Sequence, residues 1–247
     1  MTKPRLLILG GTGEARQLAV LLVDQYDTVT SLAGRTQDPM ALAGTVRQGG
    51  FGGVSGFLAY LEQNRPAAVI DATHPYAARM GTTAVQATAQ MHIPFLRLER
   101  PAWTQQPGDD WHLFETIEAL VKRLPSLGTH GLITLGGANL GAFSRATGMR
   151  LTLRAIDPPD PLPDHPAIKV LLDRGPFTLE SERALLTRLG IDVLVARNAG
   201  GSATRAKIDA ARMHKLPVAL LARPARPDSN YVNTVAAAVR WVEGLNL

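Results

Sequence analysis

The sequence contains no cysteine among its 247 residues, which excludes disulfide staples, thiolate nucleophiles and cysteine-ligated metals. Aromatic residues are scarce, at 5%, and the most basic stretch has no Phe, Tyr or Trp on which bases could stack, which argues against single-stranded nucleic acid as a partner. No apolar run approaches the ~20 residues that span a bilayer, and Lys3-Pro4-Arg5 leads into a strand-like segment with no secretory apolar region. The histidines His74, His92, His112, His130, His165 and His214 show no paired ligand spacing, and no HExxH helix is present, so no metal is expected. No serine occupies a GxSxG elbow, which leaves covalent catalysis without its usual nucleophile. The expectation is a cytoplasmic protein with neither membrane nor nucleic-acid partner.

What the chain has in plenty is short apolar runs alternating with helical patterns, within a composition that is 45% hydrophobic. That rhythm predicts a parallel α/β sheet. Strands are expected at Arg5 to Leu9, Thr28 to Ala33, Val46 to Gln48, Ala67 to Asp71 and Phe95 to Leu98, then at Gly131 to Leu135, Arg150 to Ala155, Val193 to Ala196 and Val218 to Leu221. A final helix is expected from Tyr231 to Leu245. Pro101 to Asp110, rich in Pro, Gln, Gly and Asp, marks the boundary between an N-terminal domain, 1–100, and a C-terminal domain, 101–247, whose last helix packs back on the body. The fold class is thus α/β, two Rossmann-like parallel-sheet domains with the active site in the cleft between them.

Three strand exits carry the chemistry. Leu9-Gly10-Gly11-Thr12-Gly13-Glu14-Ala15-Arg16 has the strand, glycine turn and helix of a dinucleotide loop, in which backbone N–H groups face a pyrophosphate at a helix N-terminus. It departs from the fingerprint, because Arg16 stands where the third, helix-packing glycine belongs. After the second strand comes Ala33-Gly34-Arg35-Thr36 with no carboxylate to hold a ribose 2′-hydroxyl, and Arg35 with Thr36 suits the 2′-phosphate of NADPH. At the third exit, Asp71-Ala72-Thr73-His74-Pro75-Tyr76-Ala77 brings four polar groups to one strand end, with Thr73 a possible helix cap.

The net charge is +5, and it is concentrated. Between Arg197 and Arg226 lie Arg205, Lys207, Arg212, Lys215 and Arg223, against the single acid Asp209. This is either a solvated helix face or a site for a polycarboxylate or phosphate.

Together with Leu135-Gly136-Gly137-Ala138-Asn139-Leu140 and Arg197-Asn198-Ala199-Gly200-Gly201, followed by Thr204, Lys207 and Ala210-Ala211-Arg212, these blocks closely resemble the precorrin-6A reductase family, in family order and over nearly the whole chain. The resemblance implies NADPH-dependent reduction of the C18–C19 double bond of precorrin-6A to give precorrin-6B in cobalamin biosynthesis. It also implies a polycarboxylate tetrapyrrole as substrate, and a pathway setting in which neighbouring enzymes could make transient contacts. Gly11, Thr12, Gly13, Arg35, Thr36, Gly136, Gly137 and Asn139 fall to the cofactor. Arg16, Thr73, His74, Tyr76, Lys207, Arg212, Asn198, Gly200, Gly201 and Ser202 fall to the substrate, with His74 or Tyr76 as proton relay. The cobalt-precorrin-6A reductases of the anaerobic route, another reductase of a polyacidic small molecule, and an NADPH-binding sensor are the alternatives.

Overall fold

Leu6, Leu7, Ile8 and Leu9 are each at most 1% exposed, so the strand they form is covered on both faces, as in a parallel sheet sandwiched by helices. The computed structural model of the chain describes residues 2–34, 41–136, 140–161, 165 and 167–247. In chain order its elements are β1 (Arg5–Leu9), α1 (Gly13–Leu22), β2 (Asp27–Leu32), β3 (Thr45–Gln48), α2 (Gly53–Asn64), β4 (Ala68–Asp71), α3 (Ala78–Gln90) and β5 (Phe95–Leu98). They continue with β6 (Asp110–Phe114), α4 (Ile117–Arg123), β7 (His130–Ile133), α5 (Leu140–Phe143), β8 (Arg150–Ala155), β9 (Ile168–Leu172), α6 (Leu179–Leu189), β10 (Val193–Arg197), α7 (Ala206–Met213) and β11 (Pro217–Leu221). The chain closes with β12 (Tyr231–Val232) and α8 (Val235–Glu243).

Two compact units result: residues 1–101 with 224–247, and residues 102–223. Each holds a six-stranded sheet, ordered β12-β5-β4-β1-β2-β3 in the first and β6-β11-β10-β7-β8-β9 in the second. Every strand pairing is parallel. In the first unit the chain winds outward from β1 through β2 and β3, then returns to β4 and runs the other way. The β1/β4 junction is therefore a topological switch point, where the loops leaving the carboxyl ends diverge and open a crevice for ligand. In the second unit the corresponding junction lies between β7 and β10.

The alternation of β1 distributes its side chains between two cores. Leu6 and Ile8 join Ala68, Ile70, Leu96 and Leu98 under α1 and α8, while Leu7 and Leu9 join Val69, Phe57 and Leu61 on the α2 and α3 side. Each such leucine or isoleucine contributes about 1.5–3 kcal/mol by leaving water. Gly10 lets β1 exit tightly against β2, since a Cβ there would lie 2.7 Å from Cγ2 of the buried Thr30.

Three elements differ from the sequence reading. Tyr231 and Val232, expected at the start of a helix, form β12, because the edge of β5 offers them hydrogen bonds: Arg97 N–H donates to Asn230 O and Glu99 N–H to Val232 O, both at 2.9 Å. Helix α8 starts only after Thr234, whose hydroxyl accepts from Ala237 N–H at 3.2 Å. The unforeseen β6 and β9 are sheet-edge strands whose residues are largely half-buried or exposed, so neither shows an apolar run. Residues 224–247, assigned from the sequence to the second domain, fold with the first, where α8 lies on α1 and buries Ala238 and Val242.

Candidate active site

At the β1/β4 switch point two loops are stitched together. Ala72 N–H donates to Leu9 O at 2.9 Å, extending the strand pairing by a residue. Thr12 then bridges the loops, its hydroxyl donating to Ala72 O at 2.7 Å while accepting from Ala15 N–H at 3.1 Å as the cap of α1. Gly11, Thr12 and Gly13, expected at the cofactor, and Thr73, His74 and Tyr76, expected at the substrate, thus follow the carboxyl ends of adjacent strands, with Arg16 one turn into α1.

Would a dinucleotide fit there? Gly11 has a φ of +110°, which side chains rarely adopt, and a Cβ at Gly11 or Gly13 would meet no atom within 4 Å, so the loop surface is open to an approaching ligand. Glu14, an anion in the first turn of α1 and unfavourable beside a phosphate, is neutralised by Arg100 at 2.8 Å. The missing third glycine leaves Arg16 half-buried, with its Nε shielded from solvent and lacking a hydrogen-bond partner among the described residues. These features suit a dinucleotide pyrophosphate on α1. Arg35 and Thr36, the residues expected at a 2′-phosphate, lie outside the described residues, as do Gly137 and Asn139.

The second loop of the cluster is organised differently from the expected helix cap. Thr73 does not cap α3: its hydroxyl donates to Asp71 Oδ1 at 2.7 Å and its N–H to the same oxygen at 3.0 Å. Tyr76 N–H donates to His74 Nδ1 at 3.3 Å, and the two rings lie 5.5 Å apart with an angle of 42° between them. Beneath this turn Asp71 is fully buried against Arg97, which is 4% exposed.

The second unit presents Gly136, with a φ of +74°, after β7, and Asn198, Gly200, Gly201 and Ser202 after β10. The Asn198 side chain is engaged in scaffolding. Its Oδ1 accepts from Trp103 N–H at 2.8 Å and its Nδ2 donates to Trp103 O at 3.1 Å, while the Trp103 indole N–H donates to Gly201 O at 2.7 Å. Arg223 holds the same loop by donating to Asn198 O and Ala199 O. Ser202 is exposed.

Of the two cations assigned on α7, Arg212 pairs with Asp209, which also takes Arg205 at 3.0 Å. Lys207 is instead buried, only 7% exposed. Burial, reinforced by the neighbouring Arg154 and Arg197 charges and opposed by Glu182, lowers its pKa to about 8. Glu182 is itself held by both terminal nitrogens of Arg154, at 2.9 and 3.0 Å.

The plainer reading of this segment from the sequence, that Asp71 and Thr73 organise a turn, is what their hydrogen bonds show; Arg97 and Trp103 were passed over, and Arg223 was counted only within the basic stretch. A signal was present for Arg97: a charged residue in the buried run Phe95-Leu96-Arg97-Leu98 demands a buried partner.

Fold and site together define a class, an α/β protein of dinucleotide-binding architecture with a glycine loop at the switch point of each sheet. The pattern of the family described as "Precorrin-6x reductase CbiJ/CobK" matches residues 5–243. A precorrin-6A reductase of Rhodococcus erythropolis is 43% identical over 242 residues, covering 96% of this chain and 97% of its own length. That of Rhodobacter capsulatus is also 43% identical, with 96% and 95% covered. The solved structure of CobK precorrin-6A reductase superposes with a TM-score of 0.93 at 41% identity, covering 99% of this chain and 97% of the other. The chain belongs to the precorrin-6x reductase family and is an oxidoreductase, which implies a nicotinamide cofactor. No helix among the described residues is long and apolar enough to cross a membrane.

Proposed function

We propose that the protein reduces precorrin-6A to precorrin-6B in cobalamin biosynthesis, with NADPH as reductant. The observation that carries this reading is likeness to precorrin-6A reductases over almost the entire length, at 43% identity, together with an open glycine loop at the β1/β4 switch point. NADPH, when bound, supplies the hydride, and Gly11, Thr12 and Gly13 would hold its pyrophosphate at the N-terminus of α1. Arg35 and Thr36 would select the 2′-phosphate.

The residues of this chain then have three tasks. Arg16, Arg212 and the backbone N–H groups of the Asn198–Ser202 loop bind substrate carboxylates, where charge-assisted hydrogen bonds are strongest. Thr73 orients the turn carrying His74 and Tyr76. Hydride addition to a carbon–carbon double bond needs a matching proton. His74, Tyr76 and Lys207 are the groups able to hold one, and Lys207, with a pKa of about 8, exchanges it near neutral pH.

The test is oxidation of NADPH by the purified protein with precorrin-6A present and absent, repeated with NADH and with cobalt-precorrin-6A. Oxidation that depends on the metal-free macrocycle and prefers NADPH is the expected result. Failure of folded protein to oxidise either cofactor with either macrocycle would overturn the reading and leave an NADPH sensor or another reductase in its place.

A further inference from the structure

The β4–α3 turn has an unusual support. Ala77, at the start of α3, gives no side-chain cap, and its N–H closes the turn by donating to His74 O at 2.8 Å. The turn is also held from below. Asp71 Oδ1 accepts both the N–H and the hydroxyl of Thr73, an Asx-type turn. Asp71 Oδ2 accepts from Arg97 Nη1, which also donates to Thr73 Oγ1 at 3.1 Å. The remaining face of the guanidinium is occupied by Glu99, whose Oε2 accepts from Arg97 Nε at 3.1 Å and from Nη2 at 2.9 Å. Glu99 is in turn 4.0 Å from Arg226, on the segment leading into β12.

We infer that Arg97 is a positioning residue: held between Asp71 and Glu99, its guanidinium sets the direction in which the Thr73–Tyr76 turn presents His74 and Tyr76. Three features support this. First, Asp71 is 0% exposed and a charge buried that deeply is costly without a partner; Arg97, 4% exposed, is the cation beside it, so the grip of Asp71 on Thr73 depends on Arg97. Second, only a planar fork of donors reaches Asp71, Thr73 and Glu99 at once; the single ammonium of a lysine satisfies one or two of them. Third, Arg97 lies below the turn at 4% exposure, so it acts through the turn.

The inference rests on the proposed role of the His74–Tyr76 turn, and its test separates the two. Arg97→Lys keeps the charge and is examined with NADPH and precorrin-6A, alongside NMR signals of the His74 ring. The expected result is a kcat lower by about ten- to a hundredfold, KM for NADPH unchanged because the glycine loop is untouched, a retained cooperative melt, and displaced His74 signals. Asp71→Asn, which removes the same ionic tie from the other end, displaces those signals too, and it stands in if Arg97→Lys does not fold. Unchanged His74 signals and unchanged kcat would overturn the inference. Displaced signals with unchanged kcat would uphold the positioning of the turn and overturn instead the role of His74 and Tyr76 in the reaction.

Discussion

Lys207 shows how much a single residue can hide in a sequence. It lies in a run of cations that reads equally well as a solvated face, yet Ala210, Ala211 and His214 follow it at helical spacing, and the first two are fully buried. That spacing, more than the charge count, was the available clue that Lys207 faces inward. Its pKa of about 8 lies below the ordinary 10.5, so the unfolded chain binds more protons between those values. Stability from this group therefore rises with pH from about 8 to 10.5, and below about 8 the buried charge is a constant cost of about 3 kcal/mol. Lys207→Met should raise the melting temperature at neutral pH and flatten the stability profile between pH 8 and 10.5, while lowering kcat/KM for the macrocycle at least tenfold. Thermal melts across pH, set beside turnover, check both halves. A lower melting temperature at pH 7 would mean that Lys207 stabilises the fold through Glu182. Arg212, from the same run, was legible as a cation but not as the partner of Asp209, a pairing that only the i, i+3 geometry of α7 makes apparent.

Among the elements, most of those read correctly are buried strands, although β3, exposed at its sheet edge, was also anticipated at Val46 to Gln48. The runs at β1, β4, β7 and β10 are apolar because both faces are covered; β1, β7 and β10 are followed by glycine loops where the sheet needs an abrupt turn, and β4 by the glycine-free Thr73–Tyr76 turn. β6, β9 and β12 escaped because the pairing of these edge strands depends on what the neighbouring strand offers, and their own residues carry no apolar run. The same distinction predicts unequal mutational costs. Gly10→Ala would drive a methyl group into the stiff, buried Thr30 at the β1/β2 exit. Such overpacking costs about 1–3 kcal/mol, and it should also raise KM for NADPH by displacing the Gly11–Gly13 loop. Thr234→Ala, which removes only the cap of α8, should cost about 1 kcal/mol and leave that KM unchanged. Urea unfolding and cofactor titration of the two variants would show the difference. Equal effects on KM would dissociate the glycine loop from the cofactor.

At the scale of the whole chain, the two units use one strand order but complete it differently. Each has five strands wound about its switch point, and a sixth at the edge: β6, leading into its unit, in the second, and β12, arriving from the far end of the chain, in the first. Composition marked the break near residue 101 but gave no sign of the return at 224, because Pro224–Asn230 resembles any surface loop. The second unit is contiguous, so a 102–223 fragment should unfold cooperatively in urea by itself. A 1–101 fragment should not, since it leaves the β5 edge unpaired and uncovers the core of Leu6, Ile8 and Leu18 that Ala238 and Val242 close. Joining 224–247 to 1–101 through a flexible linker should restore the transition, because the segment needs only to reach β5 and α1. If 1–101 unfolded cooperatively without the segment, β12 and α8 would be ornaments on a complete domain, and the Glu99–Arg226 tie beneath the His74 turn would be dispensable with them.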